Sequence, residues 1–353
     1  MKKMTAIGSA FLLAAFFAAC ATTPGIKTGA AAGEALIKMM PRSATGIVAV
    51  DIHRLMGTEG IVKALQDPQV KEKYDGFVKM SSIDPMKDIS YFGFAISGGP
   101  GGPRPEMDGG FIISLNYDKA KLQSLIKEKA PEVKEEIYNG VTLYANLDGG
   151  PDAGLWGGPD KSKRTTRAAF LDDTHIVLGS EKGVKGIIDV RQKKADSLAK
   201  NPEMAPVLRK VDKSGILWGA FAIPQDLLKK GVASTPQLKV LEGVKALTLM
   251  FDDRVSGILA DIRAVGGSKE QNANLAAALN GFKALGAMFG AKEPAVADFL
   301  NGIQITSSDD STRLTLNVSH EVMDKIGAMA KAKAGDFMKG RKKDEAPVPE
   351  VKK

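Results

Sequence analysis

Cysteine is nearly missing: Cys20 is the only one in 353 residues. That excludes an intrachain disulfide and any cysteine-rich metal site. Histidine is almost as scarce. His53, His175 and His320 lie far apart, so no local spacing pairs them on a metal. Aromatic residues make up only 6% of the chain. Past residue 19 no apolar run approaches the ~18 residues of a bilayer-spanning helix. Catalytic signatures are missing too. There is no Gly-x-Ser-x-Gly elbow, no His-Glu-x-x-His, no Walker loop and no Gly-x-Gly-x-x-Gly between strand and helix. Gly98–Gly102 is broken by Pro100, so it is not a phosphate cradle at a helix start. The expectation is a chain that is not an enzyme, with no cofactor and no bound metal.

The chain is long enough for two domains of ordinary size or one large one. With 44% apolar and 25% charged residues it holds enough apolar side chains to build a core. Its formal charge is +8, and residues 1–19 hold two lysines and no acid, so the remainder carries +6. The excess is spread out, which reads as a solvated surface with a mild preference for anionic headgroups or cell-wall polymers. Nucleic acid is not an expected partner.

Residues 1–20 read MKKMTAIGSAFLLAAFFAAC: two lysines, a short apolar stretch, small residues, then the lone cysteine. Phe17-Ala18-Ala19-Cys20 resembles the lipobox of bacterial lipoproteins, with Phe17 where that family usually has Leu. The resemblance implies a signal peptide over 1–19, cleavage before Cys20 by signal peptidase II, and lipidation of the Cys20 sulfur. It implies an anchored protein of the cell envelope. Ala21 favours the outer membrane, facing the periplasm, over the inner one. The alternative is an ordinary secretory signal that happens to contain a cysteine. Residues 20–40, rich in small side chains, read as the lipidated cysteine and a flexible tether.

The body reads as α+β, in two tandem pseudo-repeated lobes, each an antiparallel sheet with helices packed on a face. Lobe 1 spans 41–193, a bridge 194–213, lobe 2 214–335, and a disordered basic tail 336–353. Each lobe follows the order β-α-β-β-α-β-β-α. The segments ATGIVAVDIHRLM (44–56) and KSGILWGAFAIPQDLL (213–228) open the two copies, each a β-rich apolar run followed by a turn into an amphipathic stretch. Asp67-Pro68, Asp118, Ser234 with Pro236, and Ser268 are read as helix starts. Inward stripes are expected at Val70, Tyr74, Phe77 and Val78, at Val184, Ile187 and Ile188, and at Leu275, Leu279, Phe282, Gly286 and Phe289.

This layout resembles an uncharacterised family of bacterial envelope proteins. The likeness is carried by Pro41-Arg42-Ser43-Ala44 with Val48-Ala49-Val50-Asp51, and by Asp84-Pro85-Met86-Lys87-Asp88. It implies an envelope protein and brings no activity with it.

The lobes differ at two loops, Ser97–Gly110 and Asp148–Arg167, the second holding Gly-Gly-Pro-Asp twice. They are read as insertions at two hairpin tips equivalent to Asp252-Asp253-Arg254 and Ser308-Asp309-Asp310-Ser311 of lobe 2. A recognition surface there would use Trp156 as an apolar anchor, with Arg104, Arg164 and Arg167 as anion contacts beside Lys161 and Lys163. The alternative is a pair of mobile loops with no fixed partner. Asp148, Asp152 and Asp160 lack the spacing of a calcium loop. Asp51 and His53, two apart on an expected strand, would share a face and pair as an acid–base couple only if a nucleophile joined them. His175 reads as a turn residue and His320 as a cap.

Three functions follow from these residues: a non-catalytic binding or scaffold module, a periplasmic carrier of a lipid or other amphiphile, and, less favoured, an envelope hydrolase built on His53. The partners expected are the membrane through the lipid anchor, and an envelope protein, cell-wall polymer or lipid.

Overall fold

A computed structural model of the chain describes residues 28–98, 108–145, 166–290 and 293–343. It is a mixed helix and strand protein with extensive antiparallel sheet. Two compact units are recognised: Met1–Pro41 with Ala49–Ala95 and Asp108–Ser197, and Arg42–Val48 with Ile96–Met107 and Leu198–Lys353.

In the first unit, helix α1 (Gly29–Ile37) precedes strand β1 (Ala44–Asp51), whose last three residues belong here. Short helices α2 (Ile52–Met56) and α3 (Glu59–Ala64) lead to α4 (Pro68–Ser81). Strands β2 (Ile89–Ser97) and β3 (Asp108–Leu115) follow, then α5 (Lys119–Lys129). Four strands come next: β4 (Lys134–Tyr138), β5 (Val141–Ala145), β6 (Arg167–Asp172) and β7 (His175–Gly179). Helix α6 (Glu181–Arg191) closes the unit. The strand order is β1-β2-β3-β7-β6-β5-β4, and the pairs from β3 to β4 are antiparallel.

The caps follow local chemistry. Asp67 accepts hydrogen bonds from the amides of Gln69 and Val70 at 2.8 and 3.3 Å, with Pro68 at the first helical position. Asp118 accepts from Lys121 at 3.0 Å, and Ser180 from Gly183 at 3.1 Å. Asn139 (φ 51°) and Gly140 (φ 79°) turn β4 into β5 in the left-handed geometry that tight hairpins require.

Residues 29–40 are not a tether. The small residues of α1 let it lie close on β2, where the Leu36 side chain fills the space that a β-carbon on Gly93 would occupy. Leu36, Ile37 and Met40 are buried. The inward stripe expected on α4 is also revised. Val70 and Phe77 are exposed, while Tyr74 is held by its hydroxyl to the Asp84 carboxylate. Burial, then that carboxylate, pushes the Tyr74 phenol up to about 12.

In the second unit, a one-turn 3-10 helix (Leu198–Lys200) and helix α7 (Met204–Leu208) precede β8 (Leu217–Ala222). Helix α8 (Gln225–Ser234) and a second 3-10 helix (Pro236–Leu241) lead to β9 (Val244–Arg254) and β10 (Gly257–Gly266). Then come α9 (Lys269–Gly290), α10 (Pro294–Asn301), β11 (Ile303–Ser307), β12 (Ser311–Val318) and α11 (His320–Lys343). The strand order is β8-β9-β10-β12-β11, antiparallel throughout.

Residues 198–213 are core rather than bridge. Leu198, Met204, Val207 and Leu208 are buried, and α7 packs on β8 and β9. Asn201 accepts from the amides of Glu203 and Met204, both at 2.9 Å, and donates to the Arg42 carbonyl at 2.7 Å. Pro236 does open a short helix, the second 3-10 helix, but its cap position is Thr235; Ser234 instead ends α8, which starts after Pro224. At Ser268 the expected start holds as a reciprocal cap: its hydroxyl accepts from Gln271 N–H at 3.2 Å while its own amide donates to Gln271 Oε1 at 2.8 Å. The tail expected to be irregular from residue 336 continues α11 as far as Lys343.

The order β8-β9-β10-β12-β11 matches β1-β2-β3-β7-β6 strand for strand. The β4–β5 hairpin is extra in the first unit. Consequently β11–β12 corresponds to β6–β7, whose turn is Asp172-Asp173-Thr174. The segment after Ala145 joins β5 to β6 instead, so it is not equivalent to Ser308–Ser311 as expected.

Helix α6 sits against β3, β6 and β7 with Val184, Ile187 and Ile188 fully buried. It comes so close that a β-carbon on Gly183 would overlap the Gly109 carbonyl. Gly183→Ala is therefore expected to cost about 1–3 kcal/mol in a denaturant titration, since backbone must move. Gly76→Ala, in open space on α4, should be neutral or stabilise by up to about 1 kcal/mol.

Candidate functional site

The three histidines serve local structure. Asp51 ends β1, fully buried, and its two carboxylate oxygens accept backbone N–H groups, from Gly29 and Arg54, each at 3.0 Å. His53 is the second residue of α2, which Asp51 caps, and is exposed, so the two do not share a strand face. His320 Nε2 lies 2.6 Å from Asp253 Oδ1, tying the start of α11 to the β9–β10 hairpin. The cap of α11 is the neighbouring Ser319, whose hydroxyl accepts from Val322 N–H at 3.3 Å.

His175 begins β7 directly after its turn, with Nδ1 2.8 Å from Asp172 Oδ1. Asp172 also accepts from the Thr174 amide at 2.9 Å and from Arg191 Nη2 at 3.0 Å. Burial is the largest single influence on this carboxyl and opposes its charge. The bonds from His175 and Thr174 outweigh it and hold Asp172 well below the usual carboxylate range. Among the described residues no three His, Cys, Asp or Glu side chains gather as a metal site.

The residues that do converge lie at the start of α6. Asp108, where β3 resumes after the first long loop, accepts from the Ser180 hydroxyl at 3.3 Å and pairs with Lys182 at 2.9 Å. The amide of Gly109 donates to Ser180 Oγ at 3.3 Å, and the Ser180 amide donates to the Gly109 carbonyl at 3.0 Å. Arg167, where β6 begins after the second long loop, donates to Glu181 Oε2 at 3.0 Å and lies 3.6 Å from Glu136. Both loops therefore return to one helix end. Glu181 is held below the usual carboxylate range, first by its bond from Lys185 and further by Arg167.

Beside this helix end lies an open cleft of about 410 Å³, lined by Tyr138, Glu181, Lys182, Lys185, Gly186 and Asp189. Tyr138 donates to the Asp189 carboxylate at 3.0–3.1 Å, which pushes its phenol up. Asn139 donates to the same carboxylate at 2.8 Å, and Lys185 lies 5.1 Å over the Tyr138 ring. Lys182 pairs with Asp108 and Lys185 with Glu181, while the Asp189 carboxylate is held by the neutral donors Tyr138 and Asn139.

Of the candidate anchor and anion contacts of the two loops, Arg167 alone is described, and it is not a loop contact. It is buried in β6 and engaged by two carboxylates. Cys20, Arg104, Trp156, Arg164, Lys161, Lys163, Asp148, Asp152 and Asp160 lie outside the described residues. The α6 residues were missed as a site. Their only sequence signal was the Ser180 cap and the Glu181–Lys185 spacing of one helical turn.

No family model matches the chain, and no curated protein matches it. The likeness of residues 41–51 and 84–88 to an uncharacterised envelope family is therefore carried no further. Solved structures resembling the chain include TP0453 in two crystal forms. Crystal form I has 12% identity and a TM-score of 0.43, covering 83% of this chain and 96% of that one. Crystal form III has 11% identity and a TM-score of 0.42, covering 81% and 96%.

The Asp172 carboxyl stabilises the fold only while ionised. Its folded pKa lies below the unfolded value of about 3.9, so its contribution is complete above that value and is lost as pH falls below it. Asp172→Asn is expected to lower stability by about 1–2 kcal/mol at neutral pH. Thermal melts of the two proteins should converge below about pH 4.

Proposed function

We propose that the protein is a lipid-anchored lipoprotein of the bacterial envelope whose body is a non-catalytic binding or scaffold module. The observation that carries this reading is the run Phe17-Ala18-Ala19-Cys20 after a basic start and a short apolar stretch, holding the only sulfhydryl in the chain. Acyl chains on that sulfur, at about 0.8 kcal/mol per buried CH₂, make a lasting anchor when two or more are present. Among the described residues no helix is long and apolar enough to cross a membrane. Ala21 favours the outer membrane, with the body in the periplasm.

The binding reading is supported by the meeting of Asp108 and Arg167, the described residues that follow the two Gly/Pro-rich stretches of sequence, at Ser180–Lys182. Each histidine neighbourhood, by contrast, is occupied with capping or turn closure. The expected partner is an envelope protein or a cell-wall polymer.

One observation favours a second reading, a carrier of an amphiphile. Register places Leu247, Leu249 and Phe251 of β9 on one face with Ile262 of β10. Leu247, Phe251 and Ile262 remain 39%, 37% and 45% exposed, so apolar sheet is left for a ligand to cover.

Cells fed labelled palmitate should yield a labelled, membrane-fractionated protein, and Cys20→Ala should abolish the label. Label that survives this substitution would defeat the anchor. Native mass spectrometry of residues 21–353 from a bacterial periplasm separates the two readings of the body. A clean apo mass supports the scaffold, and an added mass of lipid size supports the carrier.

A further inference from the structure

Helix α9 reverses its polarity along its length. Its outward line runs Glu270, Asn274, Ala277, Gly281, Leu285, Met288, from charged to apolar. In the second half Phe282, Leu285 and Met288 are 68%, 52% and 75% exposed, and Ala284 and Ala287 are exposed beside them. The one charged residue of that half, Lys283, is turned the other way: its Nζ donates to the Ile303 carbonyl of β11 at 2.6 Å. A surface helix normally places its lysine in water and its large apolar side chains inside. Here the inward side is already filled. Gly286 faces Leu300, which a β-carbon there would touch, and a β-carbon on Gly290 would overlap Val296.

We propose that the second half of α9 is a second membrane contact, inserting Phe282, Leu285 and Met288 among the acyl chains of a bilayer that contains anionic lipid. The proposal takes its lipid surface from the anchored-lipoprotein reading and depends on that reading in no other way. Charge supports the occupant. Helix α10 packs against both α9 and α11, and α11 as a whole carries seven lysine or arginine residues and three acidic ones. A segment with that excess is attracted to anionic headgroups. Glu321 pairs with Lys325 at 2.7 Å, Asp324 lies on the same helix, and Glu293 and Asp298 come from the start and middle of the α10 segment, where the charges of Lys325 and Asp298 act on each other.

Size argues against a second copy of the chain. The three side chains together offer on the order of 350 Å², whereas a stable dimer buries about 800 Å² per partner. A lipid surface needs no such matching area, because each apolar side chain that enters the acyl region contributes by its own buried surface.

The test is vesicle flotation of residues 20–353 carrying Cys20→Ser, which cannot be lipidated. The vesicles are three parts phosphatidylethanolamine to one part phosphatidylglycerol, or phosphatidylcholine alone. The expected result is flotation with the phosphatidylglycerol vesicles and not with phosphatidylcholine. Phe282→Ser with Leu285→Ser and Met288→Ser should cut the floated fraction by about tenfold. Because these side chains are exposed, the triple variant should keep the parent melting temperature, which separates lost binding from lost fold. Failure of the unlipidated parent to float overturns the proposal and leaves palmitate labelling of Cys20 untouched. Flotation that ignores anionic lipid overturns it too. So does a parent that elutes as a dimer and becomes monomeric in the triple variant, since α9 would then face another copy.

Discussion

The candidate site in the first unit depends on one close approach. Helix α6 lies on β3 and β7 with no side chain between Gly183, Gly179 and the backbone at Gly109–Gly110. Gly179, at φ 149°, occupies a backbone region closed to residues with a β-carbon, and such a carbon would overlap the Gly109 carbonyl. With backbone pressed on backbone, the Ser180 hydroxyl reaches both Gly183 N–H and Asp108, and Glu181 reaches Arg167. Were α6 to sit an ångström farther out, the bonds to Asp108 and Arg167 would pass beyond hydrogen-bond range, while the cap bond to Gly183 would move with the helix. The helix end would then no longer join the returns of the two loops.

That contact was only partly legible. Val184, Ile187 and Ile188 read as an inward stripe because they fall on one side of any helix, and they are fully buried. Asp67, Asp118 and Ser268 read as caps because an oxygen-bearing side chain before an amphipathic segment satisfies free amides whatever the tertiary context. Gly179 and Gly183 carry no such signal. A glycine shows that a side chain is missing and not which backbone comes near. The same ambiguity misled the reading of 29–40. Small residues suit a tether, and they equally suit a helix that must lie close to a strand, as α1 does over Gly93. The α6 cluster was hidden for another reason: Asp108, Arg167 and Glu181 are 59 and 14 residues apart and meet only through strand register.

Helix α9 shows a different limit. Leu275 and Leu279 repeat with Phe282 at a spacing that marks one stripe, and the buried end of that stripe is real at Leu275. Past Gly281 the helix is apolar nearly all round, so periodicity no longer tells inside from outside. What decides is the partner. The Ile303 carbonyl takes the Lys283 ammonium, and the narrow residues Gly286 and Gly290 admit Leu300 and Val296 of α10. Once those places are taken, Phe282 and Met288 have only solvent or another apolar phase to meet.

On the anchored reading proposed above, these two features would take different roles. The α6 end is polar and fixed by backbone contact, and would meet a water-soluble or wall-bound partner. The α9 end is apolar and would meet a lipid surface. Acyl chains at Cys20 would leave the body free to rotate about that point, nine residues before α1 begins at Gly29. A second, weaker contact through side chains would restrict that rotation without adding a strong anchor, and so would act on orientation more than on affinity.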